Sequence, residues 1–190
     1  MGNTHYFLAV PLTSEVKEQL AKWQKTVALH FPFRTWVHQE DYHITLAFLG
    51  AVSPKQLEAV REAICKVANT HAPFTLSLAT LRTFGNPIAP RILWQGVEKE
   101  EKLMVLQRDV YTACVEIGFS LDKRPFTPHI TVARKWRGDD EFRLEEMRKM
   151  GESRGSFEVR HVVLYQTHLD RTPKYEAIAL FPLLDEKGER

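Results

Sequence analysis

Apolar positions recur along the chain with two periods, one of about two residues and one of three to four. Residues 5–10, HYFLAV, form a short apolar run that fits a buried strand. Thr13 and Ser14 then offer N-caps, and Val16, Leu20, Trp23 and Val27 are spaced to share one helix face. Phe31-Pro32 ends that helix, because a residue before proline is pushed out of the helical region. Residues 43–50, HITLAFLG, return to strand composition and stop at Gly50. Ser53, Pro54 and Gln56 spell an S-x-x-Q capping box with proline at the first helical position. The helix that follows turns Leu57, Val60, Ile64 and Val67 inward until Pro73 closes it.

Two strands are expected at 74–84 and 90–97, around the turn-rich FGNPIAP. Residues 100–117 read as a helix that ends at Gly118, with the acids between Glu98 and Lys102 at its start, where the helix dipole favours them. A strand at 129–134 follows Pro125 and Pro128. A short charged helix is expected near 139–150, the mixed-sign run from Arg137 to Lys149 forming its solvated face. Strands follow near 156–166 and 174–182, and the tail DEKGER reads as frayed. No linker or low-complexity stretch interrupts the chain. The mixed order of elements argues for an α+β fold with largely antiparallel strands rather than strict βαβ winding.

One tetrapeptide occurs twice. His43-Ile44-Thr45-Leu46 returns as His129-Ile130-Thr131-Val132, each copy inside an expected strand. The interval is too long for a solenoid repeat and suits two related lobes. Side chains alternate across a strand, so each His shares a face with its Thr while the aliphatic residues point the other way. Two such strands facing one another would gather two imidazoles and two hydroxyls around one cleft. That set suits in-line displacement at a phosphodiester. One imidazole takes a proton from the nucleophile and the other gives one to the leaving oxygen, while the hydroxyls donate to the non-bridging oxygens. An unperturbed pKa of about 6.5 lets one ring be neutral and the other protonated near neutral pH.

Length and composition add bounds. The 190 residues, 44% hydrophobic and 26% charged, describe one globular domain or two tightly joined lobes. Lys and Arg number 26 against 24 Asp and Glu, a net charge of +2 that excludes a polycation yet allows a local basic groove. Cys65 and Cys114 fall in expected helices and read as buried thiols, with Cys114 in register with Leu103, Leu106, Val110 and Ile117. The opening apolar run lacks a basic leader and breaks at Pro11, so a soluble cytoplasmic protein is expected. The sequence contains no HExxH or CxxC motif, no GxGxxG and no GxxxxGK loop, so no metal site is expected and nucleotide-binding phosphate loops are disfavoured. His5, His38, His71, His161 and His168 have no partner motif and read as surface or boundary residues.

At the doubled motif the chain resembles the two-histidine phosphoesterase superfamily, in its branch of RNA 2′,3′-cyclic phosphodiesterases and LigT-like 2′-5′ RNA ligases. The resemblance runs from Phe7-Leu8-Ala9-Val10 through Trp36-Val37, HITLAFLG, Pro90-Arg91-Ile92-Leu93-Trp94 and Phe126-Thr127-Pro128-His129-Ile130-Thr131 to VVLYQTHL at 162–169 and Lys174-Tyr175. It implies a bilobal domain over residues 1–190, two pseudo-symmetric antiparallel sheets with flanking helices around a central cleft, each intertwined lobe supplying one His-x-Thr. It further implies hydrolysis of an RNA-terminal 2′,3′-cyclic phosphate to a 2′-phosphate, without metal or other cofactor. The implied partners are RNA ends or nucleotides bearing that group, tRNA halves among them, with no membrane and a monomeric enzyme. His43 and His129 are the acid–base pair in this reading, and Thr45 and Thr131 hold the phosphate. Ligation of tRNA halves through a 2′-5′ bond and non-catalytic binding of nucleotides or RNA ends at the same cleft are the alternatives. Arg134, Arg91 and Phe126 are further candidates for substrate contact. By strict alternation Arg134 lies on the face opposite His129 unless a bulge turns it back, and Phe48 alternates onto the core face with Leu46.

Overall fold

The computed structural model describes residues 4–184, so the tail expected to fray, residues 185–190, lies outside the described residues. The strands are β1 (His5–Pro11), β2 (Phe33–Trp36), β3 (His43–Ala51), β4 (Phe74–Asn86), β5 (Ala89–Val97), β6 (His129–Trp136), β7 (Ser156–Val159), β8 (His161–Thr167) and β9 (Tyr175–Pro182). The helices are α1 (Ser14–Val27), α2 (Pro54–Ala68), α3 (Glu101–Ile117) and α4 (Leu144–Lys149), with a 3₁₀ turn at Gln39–Asp41. The capping box forms as read: Gln56 N–H donates to the Ser53 hydroxyl at 3.3 Å and Ser53 N–H to Gln56 Oε1 at 3.1 Å. Gly118 ends α3 in the left-handed region at φ 106°, a conformation that costs glycine nothing.

The pairings between strands are all antiparallel, in the order β7-β4-β5-β6-β3-β1-β8-β9, with β2 also on β6. Two runs of four are joined at the centre: β3-β1-β8-β9 on one side and β6-β5-β4-β7 on the other. The join is a single residue pair, Ile44 against Ile130. The expected α+β class with antiparallel strands and flanking helices therefore holds. The two motif strands do not face one another across a gap; they lie side by side at the seam.

One core cluster runs through both halves, including Leu8, Leu20, Ile44, Ile64, Leu106, Ile130, Val132 and Leu164. Helix α2 packs on α3, and α3 on β3. A smaller cluster of Phe7, Ala9, Val163 and Tyr165 occupies the opposite face of β1 and β8. Alternation explains the split, since Leu8 and Val10 point one way and Phe7 and Ala9 the other.

Four expectations change. The charged helix near 139–150 shrinks to Leu144–Lys149, because Phe142 is buried and its N–H bonds Ile88 O at 2.9 Å, which holds the preceding segment extended. The strand at 156–166 is two strands in different halves of the sheet, β7 at the edge on β4 and β8 between β1 and β9. β2 was not expected, four residues being too few for a periodic signal. Cys65 is exposed on the outer face of α2, whereas Cys114 is buried as read. Among the described residues no helix is long and apolar enough to cross a membrane.

Candidate active site

Ile44 and Ile130 are fully buried at the seam, so the residues flanking them project from the other face. Extending that antiparallel pair by one step puts His43 opposite Thr131 and Thr45 opposite His129. Each imidazole is held in the same way. His43 Nδ1 lies 2.7 Å from the carbonyl of Asp41, and His129 Nδ1 lies 2.7 Å from the carbonyl of Thr127. A carbonyl only accepts, so Nδ1 carries the proton in both rings and Nε2 is left to do chemistry. In the free site the Thr45 hydroxyl sits 3.0 Å from His43 Nε2 and donates to its lone pair.

Aromatic rings wall both histidines. Phe7, Tyr165 and Tyr175 surround His43 at centroid distances of 4.7, 6.0 and 5.2 Å. Phe84 and Trp94 meet His129 edge-on at 5.1 and 5.7 Å. Burial against these rings disfavours the charged imidazolium. It pushes His43 down to about 4, with the Asp41 carbonyl bond opposing it and the positive charges of His129 and Arg134 adding to it. His129 is lowered for the same leading reason, against the Thr127 carbonyl bond and helped by Arg134.

Both motif strands carry a bulge at the same place. On β3, Ala47 pairs with Leu8 and Thr45 with Ala9, leaving Leu46 without a partner position. On β6, Ala133 pairs with Leu93 and Thr131 with Trp94, leaving Val132 without one. The two freed carbonyls find donors outside the ladder. Gln107 of α3 donates to Leu46 O at 3.3 Å, and Val37 N–H donates to Val132 O at 2.9 Å. An extra residue reverses the alternation beyond it. Leu46 and Ala47 are therefore both buried, as are Val132 and Ala133, and the residue five beyond each His turns outward.

Those residues are Phe48 and Arg134. Phe48 is 56% exposed and lines a cavity, which corrects its expected place in the core. Arg134 is exposed on the cleft side, the bulge having turned it back. Its charge reaches both imidazoles and lowers the Tyr175 hydroxyl against the larger upward push of burial. The cavity, of about 870 Å³, opens beside His129 and is lined by Thr45, Phe48, Phe84, Arg91 and Phe126 among others. Arg91 and Phe126 thus stand on its wall. Nearby Arg124 is engaged by Asp122 at 2.5 Å.

His43, Thr45, His129, Thr131 and Arg134 come together around the seam. Sequence reasoning missed Asp41, Phe7, Tyr165 and Tyr175 around His43, Phe84 and Trp94 around His129, and Gln107 under the bulge. Strand alternation was the one signal for the aromatics, since Phe7 and Tyr165 occupy the face of their strands opposite the main core. The remaining histidines are exposed or half-buried, as expected. His71 pairs with Asp109 at 2.9 Å, His168 with Glu176 at 2.8 Å, and His38 caps the 3₁₀ turn. Among the described residues no group of three or more His, Cys, Asp or Glu side chains is placed to hold a metal ion.

The chain is similar to known proteins. Residues 12–171 match the profile of the 2′-5′ RNA ligase superfamily. An RNA 2′,3′-cyclic phosphodiesterase of Geobacillus stearothermophilus is 54% identical over 97% of this chain, which spans 59% of that relative's length. The enzyme of the same name from Bacillus subtilis is 35% identical over 94% of this chain and 96% of its own. LigT of Escherichia coli, solved with 3′-AMP, superposes with a TM-score of 0.76 at 26% identity, covering 95% of this chain and 98% of LigT. By these matches the chain belongs to the 2′-5′ RNA ligase superfamily.

Proposed function

We propose that this chain hydrolyses an RNA-terminal 2′,3′-cyclic phosphate to a 2′-phosphate by a metal-independent, two-histidine mechanism, the two halves of the sheet working as one domain. The observation that carries the reading is the pair of imidazoles on one face of adjacent strands, each with Nδ1 held by a main-chain carbonyl and Nε2 turned away from it, that of His43 meeting the Thr45 hydroxyl. Water attacks phosphorus while one Nε2 takes its proton. The bond from phosphorus to the 3′ oxygen breaks, and the other ring, protonated at Nε2, gives its proton to that oxygen. The products are a 2′-phosphate and a 3′ hydroxyl, and the histidines exchange their proton with solvent. Thr45 and Thr131 donate to the non-bridging oxygens, the Thr45 hydroxyl turning from His43 to the substrate. Arg134 supplies positive charge next to both rings. Arg91 and Phe126, with Phe48, form the wall against which the nucleoside rests, by the base–aromatic stacking that single-stranded RNA favours.

The curated relatives named above carry this activity in their names, and LigT was solved with a nucleotide, which supports RNA ends or nucleotides as partners. Replacing water by a 5′ hydroxyl in the same step would give a 2′-5′ linkage, the reaction for which the superfamily is named. The test is turnover, in EDTA, of an oligonucleotide ending in a 2′,3′-cyclic phosphate, with the 3′,5′-cyclic isomer as control. His43→Ala and His129→Ala are each expected to cost about 10²–10⁴-fold in kcat. No turnover, or turnover that survives both substitutions, rules the hydrolysis out. Binding of a nucleoside 2′-phosphate without turnover would favour a non-catalytic role for the cleft.

A further inference from the structure

Asp41 is the one buried carboxylate among the described residues, 5% exposed. A carboxylate is costly to bury unless hydrogen bonds satisfy it. Its partners here are main-chain amides from a distant hairpin. Lys174 N–H donates to both carboxylate oxygens at 3.0 Å, and Tyr175 N–H donates to Oδ1 at 3.1 Å. The carbonyl of the same residue accepts Nδ1–H of His43 at 2.7 Å. The 3₁₀ turn that carries Asp41 is anchored on α1 by Lys17 against Glu40 at 3.1 Å and by a hydrogen bond from Tyr42 to Gln24.

Asp41 therefore grips the cleft at two points, the imidazole through its main chain and the β8–β9 hairpin through its side chain. The hairpin delivers Tyr175 as β9 begins. The Tyr175 ring stands edge-on to His43 at 5.2 Å and to Phe7 at 4.9 Å, and the charge of Arg134 on β6 is near enough to lower its hydroxyl against the larger upward push of burial. Contacts thus lead from Asp41 to Tyr175 and His43, and the field of an arginine in the other half of the sheet reaches Tyr175.

We propose that Asp41 is a positioning residue, whose carboxylate clamps the Lys174–Tyr175 backbone and so sets Tyr175 against His43 and Arg134 on both sides of the seam. This rests on the reading of His43 and Arg134 as phosphate-handling groups. An amide replaces the carboxylate poorly: its one oxygen could still accept both N–H groups, but the negative charge that strengthens those bonds is lost and an NH₂ donor takes the place of the second oxygen, facing the Lys174 N–H.

The experiment compares the wild type with Asp41→Asn, Tyr175→Phe and the double variant on the cyclic-phosphate oligonucleotide, with thermal melts alongside. Asp41→Asn is expected to lower kcat about 10- to 100-fold in a protein still folded at the assay temperature. KM should stay within about threefold, as it does when alignment in the transition state is lost rather than ground-state binding. The double variant should lose no more than the worse single one, because both act along one path. Unchanged kcat, losses that multiply, or a loss that follows the melting curve alone overturns the clamp. A wild type that turns over no cyclic phosphate overturns the parent reading instead. The clamp is then judged by NMR: Asp41→Asn must move the Arg134 Nε–H and His43 ring signals together with those of Tyr175. Movement confined to the amides of 174 and 175 overturns it.

Discussion

At the two histidines the decisive quantity is ring burial. Both Nδ1 atoms meet equivalent carbonyls, so the difference in proton affinity comes from the walls and from neighbouring charge. His43 titrates near 4 and His129 below its ordinary 6.5. One neutral and one protonated ring are required together, whichever takes which role. The pH profile of kcat/KM, which reports the free enzyme, is therefore expected to be a bell with its acid limb near 4 and its alkaline limb below 6.5. A maximum above neutrality would contradict this. Substrate brings an anionic phosphate that favours the imidazolium, so the kcat profile should lie to higher pH than that of kcat/KM. The same burial has a sign for stability. Folding favours neutral His43, so as pH falls from 6.5 towards 4 the unfolded chain takes up the proton first and stability is lost. The loss should reach up to about 3 kcal/mol. Denaturant melts at pH 7.5 and 4.5 check it, and His43→Gln should flatten the difference.

At the level of the strand, the doubled bulge shapes the cleft. Simple alternation would send the fifth residue after each His into the core, and an extra residue after each Thr sends it outward instead. One half presents an aromatic ring there and the other a cation, which gives a pseudo-symmetric frame an asymmetric lining. Phe48 is mostly exposed, so Phe48→Ala should change stability by no more than about 0.5 kcal/mol. It should nevertheless raise KM roughly 5- to 100-fold if a base stacks there, since such stacking contributes about 1–3 kcal/mol. An unchanged KM would remove the ring from the substrate site. Gln107→Ala leaves the Leu46 carbonyl without its donor and should cost about 1–3 kcal/mol in a urea melt. The loss of activity should exceed the loss of folded protein, because the bulge also orients Thr45.

For the molecule as a whole, the seam and the charge balance matter most. The two runs of four strands share a core but meet in the sheet at Ile44 and Ile130 alone. Ile130→Ala should cost about 2–5 kcal/mol, and a single transition by circular dichroism and fluorescence would show the halves unfolding together. Separate transitions would show them to be independent. A net charge of +2 suits an enzyme that holds one terminal phosphate rather than a long backbone. The slope of log affinity against log salt should be shallower than about −4. A steeper slope would point to extended contact with the chain.

The recurring His-x-Thr, the helix faces, the capping box and the antiparallel α+β class were legible from the sequence, because alternation, helical period and cap chemistry are local. So were the four motif side chains, since i and i+2 share a strand face in any sheet. The tertiary structure decided what depends on partners far along the chain. It put the two motifs side by side at one isoleucine pair, where the sequence allowed two strands facing each other. It placed the bulges, which exist only relative to a neighbouring strand's register, and so moved Phe48 out of the core and Arg134 into the cleft. It also brought the carboxylate of Asp41 to amides more than a hundred residues away. A strand can encode which of its faces is apolar, but its register and the ends of its buried hydrogen bonds belong to the pair.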